Sequence, residues 1–275
     1  MTQSRQNSTN QDRHIRVKFL AGAMSGCFSA IVNHPLINAT LYAHAGTLSQ
    51  NLNFRTLYQG MPGSACCLVP AISIQFGVSA KLNDLYRKKT GNEVTLSVNA
   101  VNSLTAGSIS ALPATFQEHV LTQMKYSKGT RFVDMATAMK NNVGTWRLCT
   151  TGLVPTMFRF SIGNVCVMTL SPKFKNIAVQ NGVNDSTANI LSCFSAGSIA
   201  SVVTQPADRV KFTQQSATPS RLSATEAFIH IYRTGGIANF FTASAPRLLH
   251  VTTAVTVASL VNLQLEEYNS KRSLR

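Results

Sequence analysis

The chain has 275 residues, of which 44% are hydrophobic and only 13% charged, with 25 Lys and Arg against 10 Asp and Glu for a formal charge of +15. Charge that sparse, against ~25% in an average soluble domain, argues against an ordinary soluble fold. The bases are scattered between apolar segments, as in Arg87-Lys88-Lys89 and Lys271-Arg272, which suits loops at a membrane surface rather than the single basic, aromatic-laced face of a nucleic-acid binder.

In chain order, residues 1–18 form a polar tail rich in Ser, Asn and Gln. It has no apolar core or cleavage site of a secretory signal, and Asp12 makes it a poor mitochondrial presequence. Apolar or small-residue segments follow at 19–42, 60–86, 98–124, 152–175, 188–215 and 243–266, each long enough for a tilted membrane span. The mean hydropathy of +0.06 is low for six spans, a value compatible with helices that line a wet cavity and so are not apolar all round.

Three alternate segments share one start: L-A-G-A-M-S-G-C-F-S-A-I-V-N-H-P, T-A-G-S-I-S-A-L-P-A-T-F and C-F-S-A-G-S-I-A-S-V-V-T-Q-P. Gly26, Gly107 and Gly197 each lie nine residues before Pro35, Phe116 and Pro206. The other three share Y-Q-G-M-P, T-T-G-L-V-P and T-A-S-A-P, whose prolines Pro62, Pro155 and Pro246 are spaced by 93 and 91 residues. The repeating unit is therefore two spans joined by a polar loop, taken three times: 19–93, 94–182 and 183–268, with a short tail at 269–275. Small residues such as Gly22-x-x-x-Gly26 and Cys193-x-x-x-Gly197 let neighbouring helices approach closely where lipid offers no hydrophobic drive.

The six cysteines form no C-x-x-C pair and no His/Cys spacing of a zinc site, and are read as packing residues. With no G-x-S-x-G, P-loop or H-E-x-x-H, the chain carries no enzyme constellation, and neither metal nor cofactor is expected.

The third repeat holds P-A-D-R-V-K, that is Pro206, Asp208 and Lys211, followed by Gln215. With the threefold repeat, this resembles the mitochondrial carrier family, whose odd helices end in proline, an acid two residues on and a base three further. The second copy, F-Q-E-H-V-L, keeps the acid as Glu118; the first, P-L-I-N-A-T, keeps only Pro35. The resemblance implies an all-α membrane protein with six transmembrane helices in pseudo-threefold order around a central cavity, both termini on one side, and surface helices near 132–142 and 222–233. Pro35 and Pro206 would free backbone carbonyls and kink their helices inward.

It further implies a matrix-side gate of which one pair survives, Glu118 with Lys211, with Asp208 facing Thr40, Lys211 meeting no other acid, and Gln215 beside them. A second gate on the even helices would fall at Ser79-Ala80 with Asn83, Ser171-Pro172 with Lys175 and Asn262-Leu263 with Glu266, leaving at most Lys175 with Glu266. The first polar loop is short, 27 residues from Pro35 to Pro62 against 40 from Pro206 to Pro246, so the surface helix there is expected to be truncated.

Solute contacts in the family lie seven residues after the even-helix glycine, which gives Cys67, Arg159 and His250, with Arg247 one turn away. An arginine within a span normally faces water or an anion. The function so implied is exchange of a small anionic metabolite across the mitochondrial inner membrane by a monomer. Membrane lipid, cardiolipin included, is the other expected partner, and nucleic acid is not one. The competing readings are a degenerate carrier without transport activity, acting in membrane remodelling or protein insertion at the outer membrane, and a pathogen-encoded carrier sent to host mitochondria.

Overall fold

A computed structural model describes the backbone of residues 2–127, 130–216 and 222–273, and the side chains of these from residue 15 to residue 264 except 262. The helices are α1 (Thr2–Val32), α2 (His34–His44), α3 (Phe54–Leu57), α4 (Met61–Thr90), α5 (Leu96–Met124), α6 (Phe132–Val143), α7 (Thr145–Thr150), α8 (Leu153–Val165), α9 (Ser171–Gln180), α10 (Asp185–Gln215), α11 (Ala224–Gly235) and α12 (Ser244–Ser273). Two pairs act as single long rods. α1 runs into α2 through a turn at Asn33, and α8 runs into α9 through a π-helical stretch at Cys166–Leu170.

The six resulting rods close a ring. α1 packs on α4, α4 on α5, α5 on α8, α8 and α9 on α10, α10 on α12, and α12 returns to α1 and α2. Ile15 and Lys18 near the start of the chain and Leu263 near its end line one mouth of this ring, so both ends of the bundle's chain lie on the same side. Within each repeat the two rods meet at the repeated glycine. A Cβ on Gly26 would lie 2.8 Å from the Val69 Cα, one on Gly107 2.5 Å from the Ser161 Cα, and one on Gly197 2.8 Å from the Thr252 Cα. Such backbone contact is possible only without a side chain.

The even rods begin alike as well. Gly60 (φ 83°), Gly152 (φ 81°) and Ala243 (φ 66°) are all left-handed, and each hands the chain from a surface loop into α4, α8 or α12. Glycine adopts that conformation freely; Ala243 holds it against its own Cβ.

Among the described residues, four stretches are long and apolar enough by themselves to cross a membrane: Ile15–Val32, Phe54–Thr90, Thr145–Gln180 and Asp185–Gln215. The polar content of α5 has a visible use. Gln117 Nε2 donates to Ser64 Oγ at 2.6 Å and Ser108 and Ser161 share a hydrogen bond at 2.8 Å, so these side chains join neighbouring rods.

Surface helices close one end. The expected pair appears as α6 and α11, and the first loop carries a 3₁₀ turn at Leu48–Gln50 and the one-turn α3. α6 buries Phe132, Met135 and Met139 against Leu41, Val120, Leu121, Met124, Leu148 and Phe212, the largest apolar cluster of the molecule. α11 buries Ala227 and Ile231 against Val210 and Phe240.

The prolines act unequally. Pro35 follows the break at Asn33, whereas the backbone stays helical through Pro206. The second repeat, lacking a proline at Phe116, has Pro113 one turn earlier inside α5. Pro172 removes the N–H that would meet the Met168 carbonyl four residues back. Asn99 of α5 replaces it, its Nδ2 donating to Met168 O at 2.9 Å and to Thr169 Oγ1 at 3.1 Å, next to the π-helical turn.

Two substitutions check this scaffold. Gly197→Val forces a branched side chain into the Thr252 backbone and is expected to cost ~1–3 kcal/mol, read as a lower thermal midpoint in detergent. Asn99→Leu orphans the Met168 carbonyl and is expected to cost ~1–3 kcal/mol; a midpoint equal to the parent's would mean that the amide does not hold the π-helical turn.

Candidate functional site

At the end of the ring capped by α6, charged side chains from α5, α8, α10 and α12 converge. α10 places Thr204, Asp208 and Lys211 on one face at intervals of four and three residues. Lys211 Nζ lies 2.9 Å from Asp208 Oδ1 and 3.1 Å from Glu118 Oε2. Arg159 pairs with Glu118 and lies 3.3 Å from Asp208 Oδ1. Arg247 reaches Asp208 Oδ2 at 2.9 Å and Thr204 Oγ1 at 2.7 Å. Arg247 is 1% exposed, Asp208 2% and Lys211 2%. Charges this far from water persist only when paired, and Asp208 is the group that all three bases share.

His44, at the end of α2, completes the set. Its Nε2 lies 3.2 Å from Asp208 Oδ2, its ring stacks on Phe212 at 5.1 Å, and its carbonyl accepts from Arg209 Nη1 at 2.8 Å. Three expectations change here. Lys211 meets two acids rather than one, because Asp208 lies a helical turn before it on the same face. Asp208 faces His44 and not Thr40, whose hydroxyl donates to its own helix at Leu36 O. And the arginines taken as solute contacts are themselves partners of the gate acids.

One tier further out, His44, Lys125 and Gln215 stand nine residues after Pro35, Phe116 and Pro206. Gln215 is fully buried, donates from Nε2 to Thr151 O at 2.9 Å and accepts at its carbonyl from Gln123. Lys125 donates to Asn38 Oδ1 at 2.7 Å beneath the Tyr42 ring. Each residue ties its helix to the preceding repeat in cyclic order: His44 to the third, Lys125 to the first and Gln215 to the second.

Above the charges a central cavity of about 160 Å³ is lined by Ser25, Ser29, Gln75, Glu118, Arg159, Arg247 and His250 among others. It adjoins a wider vestibule of about 530 Å³, which shares Phe76, Val167 and Ala258 with it. His250 faces the cavity, and no hydrogen bond joins it to another helix among the described residues. Cys67 departs from expectation. It lines a lateral pocket of about 380 Å³ with Gly63, Cys66, Phe116 and Phe132, while the next residue, Leu68, lines the central cavity. One residue is a rotation of about 100° on a helix, enough to turn a side chain from the axis to a helix seam.

At the vestibule the expected second gate is replaced by neutral contacts. Asn83 Nδ2 donates to Asn99 Oδ1 at 2.7 Å and accepts from Asn102 at 2.8 Å, and Ser79 meets Ser103 at 3.4 Å. Lys175 pairs with Asp185 at 3.0 Å, and its expected partner Glu266 has a side chain that lies outside the described residues. Among the described residues, the ion pairs that link α5, α8, α10 and α12 lie at one end and the vestibule at the other.

Sequence comparison adds kinship to this geometry. Residues 183–272 match the family model described as mitochondrial carrier protein. A mitochondrial glycine transporter of Xenopus laevis is 23% identical over 95% of this chain and 93% of that protein. Mitochondrial glycine transporter B of Danio rerio is 26% identical over 90% and 93%, and a mitochondrial glutathione transporter of Bos taurus 26% identical over 76% and 65%.

The network ranks its own substitutions. Asp208→Asn strands Arg247 without a buried counter-charge, leaves Lys211 and Arg159 to share Glu118, and is expected to cost ~3–5 kcal/mol. Lys88→Ala, which breaks the half-exposed pair with Asp84, is expected to cost at most ~1 kcal/mol. Equal losses of thermal stability would contradict the placement of Asp208.

Proposed function

We propose that the chain is a mitochondrial carrier, a secondary transporter exchanging a small carboxylate-bearing, anionic metabolite across the mitochondrial inner membrane. It works as a monomer of three repeats, 19–93, 94–182 and 183–268, with membrane lipid around the bundle and cardiolipin a candidate among its lipids. The observation that carries this reading is the pair Arg159 and Arg247, both lining a central cavity that adjoins the wider vestibule. Buried guanidinium groups recognise carboxylates by paired N–H donors, and His250 adds a third polar group to the same wall. Glu118, Asp208, Lys211 and Gln215 serve as the closing gate. Pro35 supports the bend of the first odd rod, and Pro206 leaves the Val202 carbonyl free in the third. Cys67 takes no part in the contact set.

The relatives named for glycine and glutathione transport both handle solutes with carboxylates, which agrees with arginine as the contact residue. The cavity's small volume favours the lesser solute. A second reading, a carrier-like protein without transport activity, draws on two features: the first repeat places no charge at Ile37 or Thr40, and amides stand where the second gate would be.

Uptake into liposomes separates the two. Purified protein is expected to exchange at least one member of a panel of small carboxylates and amino acids, and Arg159→Ala to abolish that exchange. Folded protein that moves none of them would favour the second reading.

A further inference from the structure

We infer that Lys125 is a proton-binding site at the junction of the first and second repeats. Docking the end of α5 on α2 and the first loop releases a proton there, and acidification loosens the junction. The site lies outside the central cavity, and the inference does not rest on the transporter reading.

Three observations carry it. The first is what Lys125 ties together. Its Nζ donates to Asn38 Oδ1 at 2.7 Å. Asn38 in turn donates from Nδ2 to Leu57 O at 2.6 Å, and His34 Nε2 meets Gln59 O at 3.0 Å. One amine thus joins the end of α5 to the helix and the returning loop of the first repeat.

The second observation is the want of a counter-charge. Among the described residues, no carboxylate pairs with Lys125. The titratable and charged groups around it are His34 and Tyr42 of α2, Tyr58 after α3, the adjacent Tyr126 and, facing Tyr126, Arg209 of α10. Asn38 and Tyr42 are buried, and so are Leu121 and Met124 just before Lys125 on its own helix. An ammonium carries three donors, and this site offers it one acceptor and one ring face. Such surroundings favour the neutral amine, and burial lowers Lys125 from the usual lysine range to about 7.

The third observation is the register. His44, Lys125 and Gln215 occupy corresponding positions in the three repeats. His44 has Asp208 as its partner, and Gln215 makes its tie as a neutral amide. Lys125 makes the same kind of tie with a basic group and no acid, and an uncharged amine keeps the donor that Asn38 needs.

Linkage fixes the direction. Exposed to water, Lys125 holds its proton up to ~10.4, the ordinary lysine value; docked, it gives the proton up at about 7. Between those limits the undocked state binds more protons, so docking is favoured as pH rises and weakened as pH falls. Below about 7 both states are protonated and the dependence ends. The firmness of the junction between two repeats thereby follows the pH of the compartment that this end of the bundle faces.

Two measurements test it, and neither needs a solute. The first is competitive acetylation of the protein in detergent with acetic anhydride over a range of pH, read at Lys125 by mass spectrometry. Only the neutral amine reacts, so the midpoint is expected at about 7 in the folded protein and at ~10 after denaturation. A midpoint in the ordinary lysine range in the folded protein overturns the inference. The second is backbone amide exchange over residues 54–60, corrected for the intrinsic effect of pH. Opening of this segment is expected to be about tenfold greater at a pH of ~6.5 than at ~8.5, and Lys125→Met to abolish the difference. Opening that does not change with pH, or a dependence that survives in Lys125→Met, overturns the inference. Should Lys125→Met fail to fold, the acetylation midpoint of the parent decides by itself.

Discussion

The structure is organised around a carboxylate that cannot be left alone. Asp208 sits inside a ring of helices, out of reach of water, and a charge in that setting survives only with compensating partners. It gathers Lys211 from its own helix, Arg159 from α8, Arg247 from α12 and His44 from α2. Glu118 extends the network to α5 through Arg159 and Lys211. Five helices are thereby tied at one level, and the closed end of the bundle is the physical result.

The remainder of the fold serves to bring those side chains together. Backbone contact at Gly26, Gly107 and Gly197 sets the spacing of the helix pair in each repeat. The left-handed residues at Gly60, Gly152 and Ala243 start the even rods in register. The surface helix α6 packs its methionines under the charges and keeps water from that side. Where proline interrupts the backbone ladder, a side chain from a neighbouring rod intervenes, as Asn99 does for the Met168 carbonyl. In a membrane the lost backbone partner must be replaced from within the protein.

The two ends of the bundle close by different means. At one, ionic pairs reach across four helices. At the other, Asn83, Asn99 and Asn102 form a neutral chain between α4 and α5 that Asn99 extends to the Met168 carbonyl. Such amide contacts join neighbouring rods beside the vestibule. A first repeat with few charges is thus not an inert third of the molecule. It contributes His44 to Asp208 and the Asn38 carbonyl that receives Lys125.

The sequence by itself determined the architecture. Small residues and prolines at repeated spacings define three pairs of rods, because close helix approach and loop entry impose local requirements that a residue type either meets or fails. Glu118, Asp208, Lys211, Arg159, Arg247 and His250 were legible for the same reason: buried charge in an apolar segment needs an explanation whatever surrounds it. Which charge meets which was decided only by tertiary structure. His44 escaped because it stands one turn beyond the position where a base was expected, and only the packing of α2 on α10 brings it to Asp208. Cys67 and Leu68 exchanged roles because rotation of a rod about its axis is fixed by its neighbours. The commitment of both arginines to the gate acids follows from the same cause, since long side chains pair with whatever the helix crossings put within reach, and no spacing along the chain encodes those distances.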